Sequence, residues 1–418
     1  MAQLSDDCFA FGGALMPVEE AARLMAQHVP PVAEIETVPL AEALGRVVAH
    51  DIVAAVALPS FDNSAVDGYA VRHADLLAGA DTKLKIAGRV QAGGGSVATV
   101  KPGEAIRIFT GAPMPQRTDT VFMQEDVTAE GNVLTVPPGL KSGANRRLRG
   151  EDLQEGAVAL PAGRRLTPQD IALAAAVGAA RVEVRRRVRV AVFSTGDEII
   201  EPGQPLAASS LYDANRFLLL ALLHEAGVEA HDLGILKDDP DQLAPAIERA
   251  AAGHDLVLTS GGVSTGEADH VKAAVEQAGK LVLWRLAIKP GRPVAMGVVK
   301  GAAFAGLPGN PVAAFVTFVH VVRPLLMRLG GASVAPPVAI SVRAAFPYKK
   351  KKGRREYVRV GLRRAEDGVI EAVKHPQEGA GVITSLTETD GLAELLEDRV
   401  EVVPGSTVGF ISYASLVG

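Results

Sequence analysis

The chain has 418 residues, 48% of them hydrophobic and 22% charged, with a formal net charge of −5. That length gives a prior of about three domains, and the composition is far from that of a disordered chain. With no basic excess, non-specific binding of nucleic acid through phosphate neutralisation is not suggested. One cysteine, Cys8, rules out an intrachain disulfide and suits a reducing compartment. Asp6 and Asp7 stand where a secretory signal would be basic, so a cytoplasmic protein is expected.

Residues 15–30 read as a short helix and 47–57 as a strand rich in Val and Ala. Residues 60–145 look mostly β, with short apolar runs at 83–86, 105–109, 120–123 and 133–136 set between glycines and prolines. Thr167-Pro-Gln-Asp170 opens a helix: Thr167 suits the N-cap, Pro168 the first helical position and Asp170 the first turn.

From residue 187 the rhythm changes. Strands are expected at 189–193, 232–236, 255–258, 281–288, 293–299 and 302–306. Helices are expected at 211–227, 240–252, 269–279 and 311–329. Alternation of this kind predicts a three-layer α/β domain with a mainly parallel sheet. The uncharged stretch 301–322 has the length of a membrane span, but Leu307-Pro-Gly-Asn-Pro311 cuts it into a strand, a turn and a helix. Beyond Gly330 and Gly331 short strands return, and residues 331–418 read as a small β domain. The basic run 349–355 is expected to be the solvated tip of a hairpin between strands 338–346 and 356–362.

Ligands of α/β sheets bind where strands end and helices begin. Three loops there are unusual: Phe193-Ser-Thr-Gly-Asp-Glu198, Leu258-Thr-Ser-Gly-Gly-Val-Ser-Thr-Gly-Glu-Ala-Asp269 and Gly306-Leu-Pro-Gly-Asn-Pro311. Ser260, Gly261, Gly262, Ser264 and Gly266 bring hydroxyls and backbone N–H groups close to an anion, because glycine removes the steric bar. Neither a Walker A motif nor a Gly-x-Gly-x-x-Gly fingerprint is present in this loop. Asp197, Glu198, Asp238, Asp239, Glu267 and Asp269 crowd the same strand ends. Carboxylates beside a phosphate cradle require a cation, and Mg²⁺ takes such oxygen ligands. Asp239 before Pro240 reads as a helix cap, whereas Asp269 fits a cap or a site equally. Lys289, with Arg285 and Arg292, sits in a Lys-Pro-Gly-Arg-Pro turn suited to an oxyanion. Asp67, Thr110 and Asp152 are further polar candidates in the N-terminal half. No close histidine pair suggests zinc.

Taken in order, several segments resemble the molybdopterin molybdenumtransferase family, which includes the gephyrin E domain. They are Ser64-Ala-Val-Asp-Gly-Tyr-Ala70, Thr110-Gly-Ala-Pro-Met-Pro115, Gly150-Glu-Asp152, Ser194-Thr-Gly-Asp-Glu198, Asp238-Asp-Pro240, Ser260-Gly-Gly-Val-Ser264, Gly266-Glu-Ala-Asp269, Ala287-Ile-Lys-Pro-Gly291 and Leu307-Pro-Gly-Asn-Pro311. The resemblance implies a central molybdopterin-binding domain at 185–330 and a mixed α/β dimerisation domain made of 1–54 and 146–184. It also implies an inserted β-rich domain at 55–145 and a C-terminal β domain at 331–418. The implied reaction transfers molybdenum from molybdate to adenylated molybdopterin, with Mg²⁺ assisting and AMP leaving.

The family further implies an elongated homodimer whose site is shared between subunits, and an adenylyltransferase as possible supplier of substrate. Its pattern assigns Ser194, Thr195, Gly196, Ser260, Gly261, Gly262, Val263, Ser264, Pro308, Gly309, Asn310 and Pro311 to substrate. It assigns Glu198, Asp238 and Asp269 to Mg²⁺ or the scissile phosphate, and Asp67, Thr110 and Asp152 to the dimer-facing side. Lys289 and Arg285 attract molybdate; Arg359 and Ser385 are oxyanion contacts. Arginine at 285 and 292, where lysine is common, keeps charge but removes proton transfer near neutrality. Two other readings are an adenylyltransferase built on the same central domain and a scaffold that has lost its chemistry. The first needs neither flanking β domain.

Overall fold

The computed structural model describes residues 4–9, 15–31, 34–94, 99–262, 270–333 and 336–417. Its centre is a six-stranded sheet. The strands lie in the order Glu229–Leu236, Arg189–Thr195, Leu256–Ser260, Ala302–Leu307, Pro293–Val299 and Gly279–Arg285. The first four are mutually parallel; only Pro293–Val299 runs against the rest. Nearly every residue of the two middle strands is buried, because helices cover both faces and leave no solvated side.

One face carries helix Ala214–Glu225 and the continuous helical run Pro311–Leu329, which contains a π-helical turn at Phe318–Val322. Helices Pro240–Gly253 and His270–Ala278 cover the other. The run Pro311–Leu329 is long and apolar enough to cross a bilayer, but 78% of its apolar window is buried inside the protein, where it forms the core. The first helix, Val18–His28, belongs by sequence position to the N-terminal domain. Its apolar stripe of Val18, Ala21 and Met25 instead joins the core beneath Arg323–Leu329.

Two other expected elements differ. Helix 211–227 starts later, at Ala214, because Asp213 accepts from the Arg216 N–H at 3.1 Å and caps it. Leu211–Tyr212 pairs instead with Ile199–Ile200. The strand expected at 47–57 is broken, since the segment meets three partners: Val47 bridges Arg165, Val48 bridges Val184, and Ile52–Val53 pairs with Val158–Leu160. The Thr167 cap is present as a full capping box with Asp170.

The inserted region forms its own sheet, in the order Thr120–Met123, Gly68–Val71, Glu104–Ile108, Thr82–Val90, Val133–Val136 and Thr128–Glu130. At the C-terminal end Arg355–Arg364, Ile370–Lys374, Ile340–Ala344, Thr407–Ser412 and Gly391–Leu395 follow one another. The last pairs back to the first, so the sheet closes into a barrel. Strand 340–344 therefore does not form a hairpin with 355–364. Tyr348–Lys349 pairs with Glu401–Val402, and the Lys350 ammonium donates to the Arg354 carbonyl at 2.7 Å, so the basic run is a local turn.

A two-residue strand of the central domain, Ile288–Lys289, adds itself to the barrel beside Arg355 and Glu356. His320 and Tyr357 make a second link, their rings stacked 4.2 Å apart at 21°. His320 is buried, and desolvation, with the nearby Arg355 charge, lowers its pKa to about 3. Folding thus favours the neutral ring. That contribution is fully present above the unfolded value near 6.5 and is lost as pH falls towards 3. Urea unfolding at pH 7 and pH 4 checks it. The wild type should lose roughly 3 kcal/mol more between the two than His320→Phe; equal losses would show that His320 is not the group titrating.

Candidate active site

Strand register brings the unusual loops together. Ser194 lies level with Ser260, and Ser260 with Leu307, so all three strands end at one edge. Thr195 lies level with Leu236, which brings Asp238 to the same edge. The Gly261 N–H donates to the Leu307 carbonyl at 3.0 Å. Gly261 and Gly262 both take positive φ, +91° and +63°. A Cβ on Gly262 would lie 2.5 Å from Val271, so only glycine lets this turn close over the following helix.

These loops wall a cavity of about 640 Å³. Ser194, Thr195, Gly196, Glu198, Asp238, Ser260, Gly261, Gly262, Gly309, Asn310 and Pro311 line it, with Gly381 and Ile383 of the barrel domain closing one side. Val263, Ser264, Glu267 and Asp269 lie outside the described residues. Asp239 caps helix Pro240–Gly253, accepting from the Asp241 N–H at 3.0 Å, as its position before Pro240 suggests.

Asn215, in the first turn of helix Ala214–Glu225, is a site residue that sequence reasoning misses. Its side-chain amide donates to the Ser260 hydroxyl at 2.8 Å and to the Gly309 carbonyl at 2.7 Å, tying two loops together. The helix that presents it is held by a buried Arg216, which bonds Asp213 at 2.8 Å and also pairs with Asp232 and Glu201. No spacing rule could single Asn215 out, since it belongs to a third segment and only the fold joins it to the others.

Among the acids, Asp238 is the distinctive one. Its Oδ1 is buried, with no hydrogen-bond partner among the described residues. Burial raises its pKa, and the charges of Asp197 and Glu198 add to the rise, while His270 and the nearby Thr195 hydroxyl oppose it. A desolvated, repelled carboxylate with a free oxygen fits a cation that takes oxygen ligands. Among the described residues no group of three His, Cys, Asp or Glu converges, so phosphate and water oxygens would have to complete such a shell.

A second cavity of about 300 Å³ shares Asn310 with the first and opens between the central domain and the barrel. Lys289, Arg359, Lys374 and His375 line it, with Glu378 as its acid. Lys289 and Lys374 flank the Tyr348 ring at 5.8 and 5.9 Å. Lys289 also meets the buried Glu356 at 3.4 Å. Ser385 does not reach the cavity. It is fully buried and accepts from the Arg359 Nε at 3.0 Å, so it positions that guanidinium.

Arg285 is exposed and lines neither cavity; nor do Asp67, Thr110 and Asp152. Asp67 accepts from both the N–H and the hydroxyl of Thr110, each at 2.8 Å. Those two bonds hold its carboxyl below the ordinary carboxylate range.

A three-layer α/β domain with glycine-rich strand ends, a β insertion before it and a barrel after it defines the class. Residues 16–178 match the MoeA N-terminal region (domain I and II), 191–328 a probable molybdopterin binding domain, and 341–413 the MoeA C-terminal region (domain IV). The chain is 39% identical over 406 residues to a molybdopterin molybdenumtransferase of Haemophilus influenzae, covering 97% of this chain and all of that one. It is 37% identical over 374 residues to one from a Nostoc species, covering 87% and 85%. A crystal structure of a molybdopterin biosynthesis MoeA protein from Pyrococcus horikoshii superposes with a TM-score of 0.79 at 30% identity, covering 96% of this chain and all of that one. The chain therefore belongs to the molybdopterin molybdenumtransferase family, and it is an enzyme of molybdenum cofactor biosynthesis.

The Asn215 tie has a direct consequence. Asn215→Ala leaves Ser260 and Gly309 without their shared donor, and unfolding should show a loss of about 1–2 kcal/mol. Amide exchange should quicken at Gly261, whose N–H bonds to Leu307. Unchanged exchange there would mean that the tie does not hold the loops.

Proposed function

We propose that this enzyme inserts molybdenum from molybdate into adenylated molybdopterin and releases AMP, assisted by Mg²⁺, in the cytoplasm and as a homodimer. The observation that supports this most is the pair of cavities meeting at Asn310. One has small-residue loops and carboxylates for a phosphate-bearing ligand; the other has cations for an oxyanion. Two substrates of different charge character thus have adjoining seats.

In this reading the Ser260–Gly262 and Gly309–Pro311 loops hold the pterin and phosphates through hydroxyl and backbone N–H groups. Asn215 keeps the two loops in register with each other. Asp238 and Glu198 would hold Mg²⁺, which neutralises charge at phosphate oxygens when bound. Lys289, Lys374 and Arg359 draw in molybdate. Asp67 and Thr110 line neither cavity of their own chain, which favours their action on the site of a second copy. Their mutual hydrogen bonds keep Asp67 ionised and aimed. An adenylyltransferase is the class of enzyme that would supply the adenylated substrate.

The activity is tested with adenylated molybdopterin, molybdate and Mg²⁺, following AMP release. Asp238→Asn is expected to cut turnover by about 10²-fold. Lys289→Ala should raise the KM for molybdate with little change in kcat, as removal of a ground-state contact does. Turnover from molybdopterin and ATP instead, with none from the adenylated compound, would sink the proposal.

A shared site makes a separate prediction. Asp67→Ala and Asp238→Ala should each be inactive alone. Unfolded and refolded together, they should recover about a quarter of wild-type activity, since half the dimers would be mixed and carry one intact site. No recovery would place both residues in one chain's site.

A further inference from the structure

Strand Glu229–Leu236 is an edge of the central sheet, paired with Arg189–Thr195 on its inner side. His231 lies level with Ala191, which belongs to the core beneath helix Pro240–Gly253, so the His231 ring rises into that layer. His254 follows the helix directly. Its Nε2 stands 2.8 Å from His231 Nδ1, with the ring centroids 4.8 Å apart and the planes at 73°. The two residues are 23 positions apart in the chain, so no spacing motif reveals the pair. Neither ring lines an active-site cavity.

The far nitrogen of each ring has a partner of its own. His254 Nδ1 meets the Ala250 carbonyl at 2.7 Å, and His231 Nε2 meets the Glu229 carboxylate at 3.4 Å. The other oxygen of Glu229 accepts from Arg189 Nε at 3.4 Å. Carbonyl and carboxylate oxygens only accept, so in neutral rings both protons belong on these far nitrogens. The near nitrogens then present two lone pairs to each other across 2.8 Å. A positive species between them relieves that opposition. A proton does so by charging one ring; a metal ion does so with both rings neutral.

We propose that this pair binds a divalent transition-metal ion of the Ni²⁺ and Cu²⁺ class through His231 Nδ1 and His254 Nε2. Imidazole suits these ions. Metal–imidazole bonds are about 2.0–2.1 Å long, so two nitrogens at right angles on one ion lie about 2.9 Å apart, and two at a tetrahedral angle about 3.3 Å. The 2.8 Å separation matches the right angle, which square-planar and octahedral ions offer. Ala250 and Glu229 supply the outer contacts that fix tautomer and ring orientation at metal sites. His231 is 45% exposed, and no group of three His, Cys, Asp or Glu converges among the described residues, so water completes the shell.

The two ligands bracket the end of the edge strand, the loop that carries Asp238 and the whole of helix Pro240–Gly253. A metal ion between them joins the sheet to the far end of that helix. Only the folded chain brings the two rings together, so the ion stabilises the folded state by mass action. The strand–loop–helix unit is thereby clipped at a point remote from the loop itself.

Calorimetric titration of the chelator-stripped, untagged enzyme with Ni²⁺ at pH 8 tests it. His231→Gln and His254→Gln each remove one ligand. Each should weaken one Ni²⁺ site per chain by at least about tenfold, the loss that removal of an outer partner alone causes. Ni²⁺ should also raise the unfolding midpoint of the wild type by more than that of either variant. Ions taken up by the active-site carboxylates bind all three proteins alike and cancel in the comparison. With one equivalent of Cu²⁺, the wild-type electron paramagnetic resonance spectrum should carry splitting from two imidazole nitrogens, and neither variant's should. Equal Ni²⁺ affinity in the three proteins, or a loss in only one variant, would show that the pair holds a proton instead. A wild-type Cu²⁺ spectrum without two nitrogens would overturn the site as well. Should either variant fail to fold, that wild-type spectrum decides.

Discussion

The geometry of the candidate site depends on one piece of register. Ser194, Ser260 and Leu307 sit at the same level of three adjacent parallel strands, so each chain segment leaves the sheet at the same edge. A slip of one residue would turn every side chain of a strand to the opposite face, and burial of both faces of the sheet resists it. Small residues then let the emerging loops lie close: a Cβ on Gly309 would come within 3.8 Å of the Gly261 Cα. Asn215 closes the set from a helix that the sheet itself positions. Contacts of modest individual strength thus define the cavity of about 640 Å³ because a stiff sheet fixes their origins.

The second cavity requires a second domain. The Lys289 backbone belongs to the central domain in sequence but to the barrel in hydrogen bonding, through its pairing with Glu356. The Val312 N–H, in the first turn of the helix that follows the Pro308–Pro311 loop, donates to the Ala380 carbonyl of the barrel domain at 3.0 Å. These stitches, with the His320–Tyr357 stack, place Arg359 and Lys374 beside Lys289. The buried Glu356 offsets part of that positive charge. It also accepts from the Tyr348 hydroxyl at 2.7 Å, which raises the phenol's pKa well above its usual value after burial has done the larger part.

Much of this is legible in local sequence. Alternating apolar strands and helices identify the three-layer domain, and the glycine and serine spacing identifies the loops, because both depend on residues close together in the chain. The capping roles of Thr167 and Asp239 are legible for the same reason. Placement by tertiary contact is not. Asn215 has no local signature. Arg285, attractive for its charge near Lys289, ends an antiparallel strand at the edge of the sheet and faces solvent. Ser385 has the polarity of a ligand contact and is instead a buried brace for Arg359. The hairpin expected around the basic run does not form, because closure of the barrel pairs strand 340–344 with more distant strands.

The two ends of the central sheet are electrostatic opposites. At the carboxyl ends, Glu198 and Asp238 line the larger cavity, and the charge of Asp197 acts on Asp238. At the amino ends, six arginines and no acidic residue line two hollows. Strands contribute little net dipole to such an asymmetry, so it comes from side chains and from helix ends. Helix Ala214–Glu225 runs between the two regions, presenting Asn215 at its start and the Glu225 carbonyl to Arg165 at its finish, with the Gly227 carbonyl just beyond it meeting Arg187. A shift along that helix would therefore be felt at both ends.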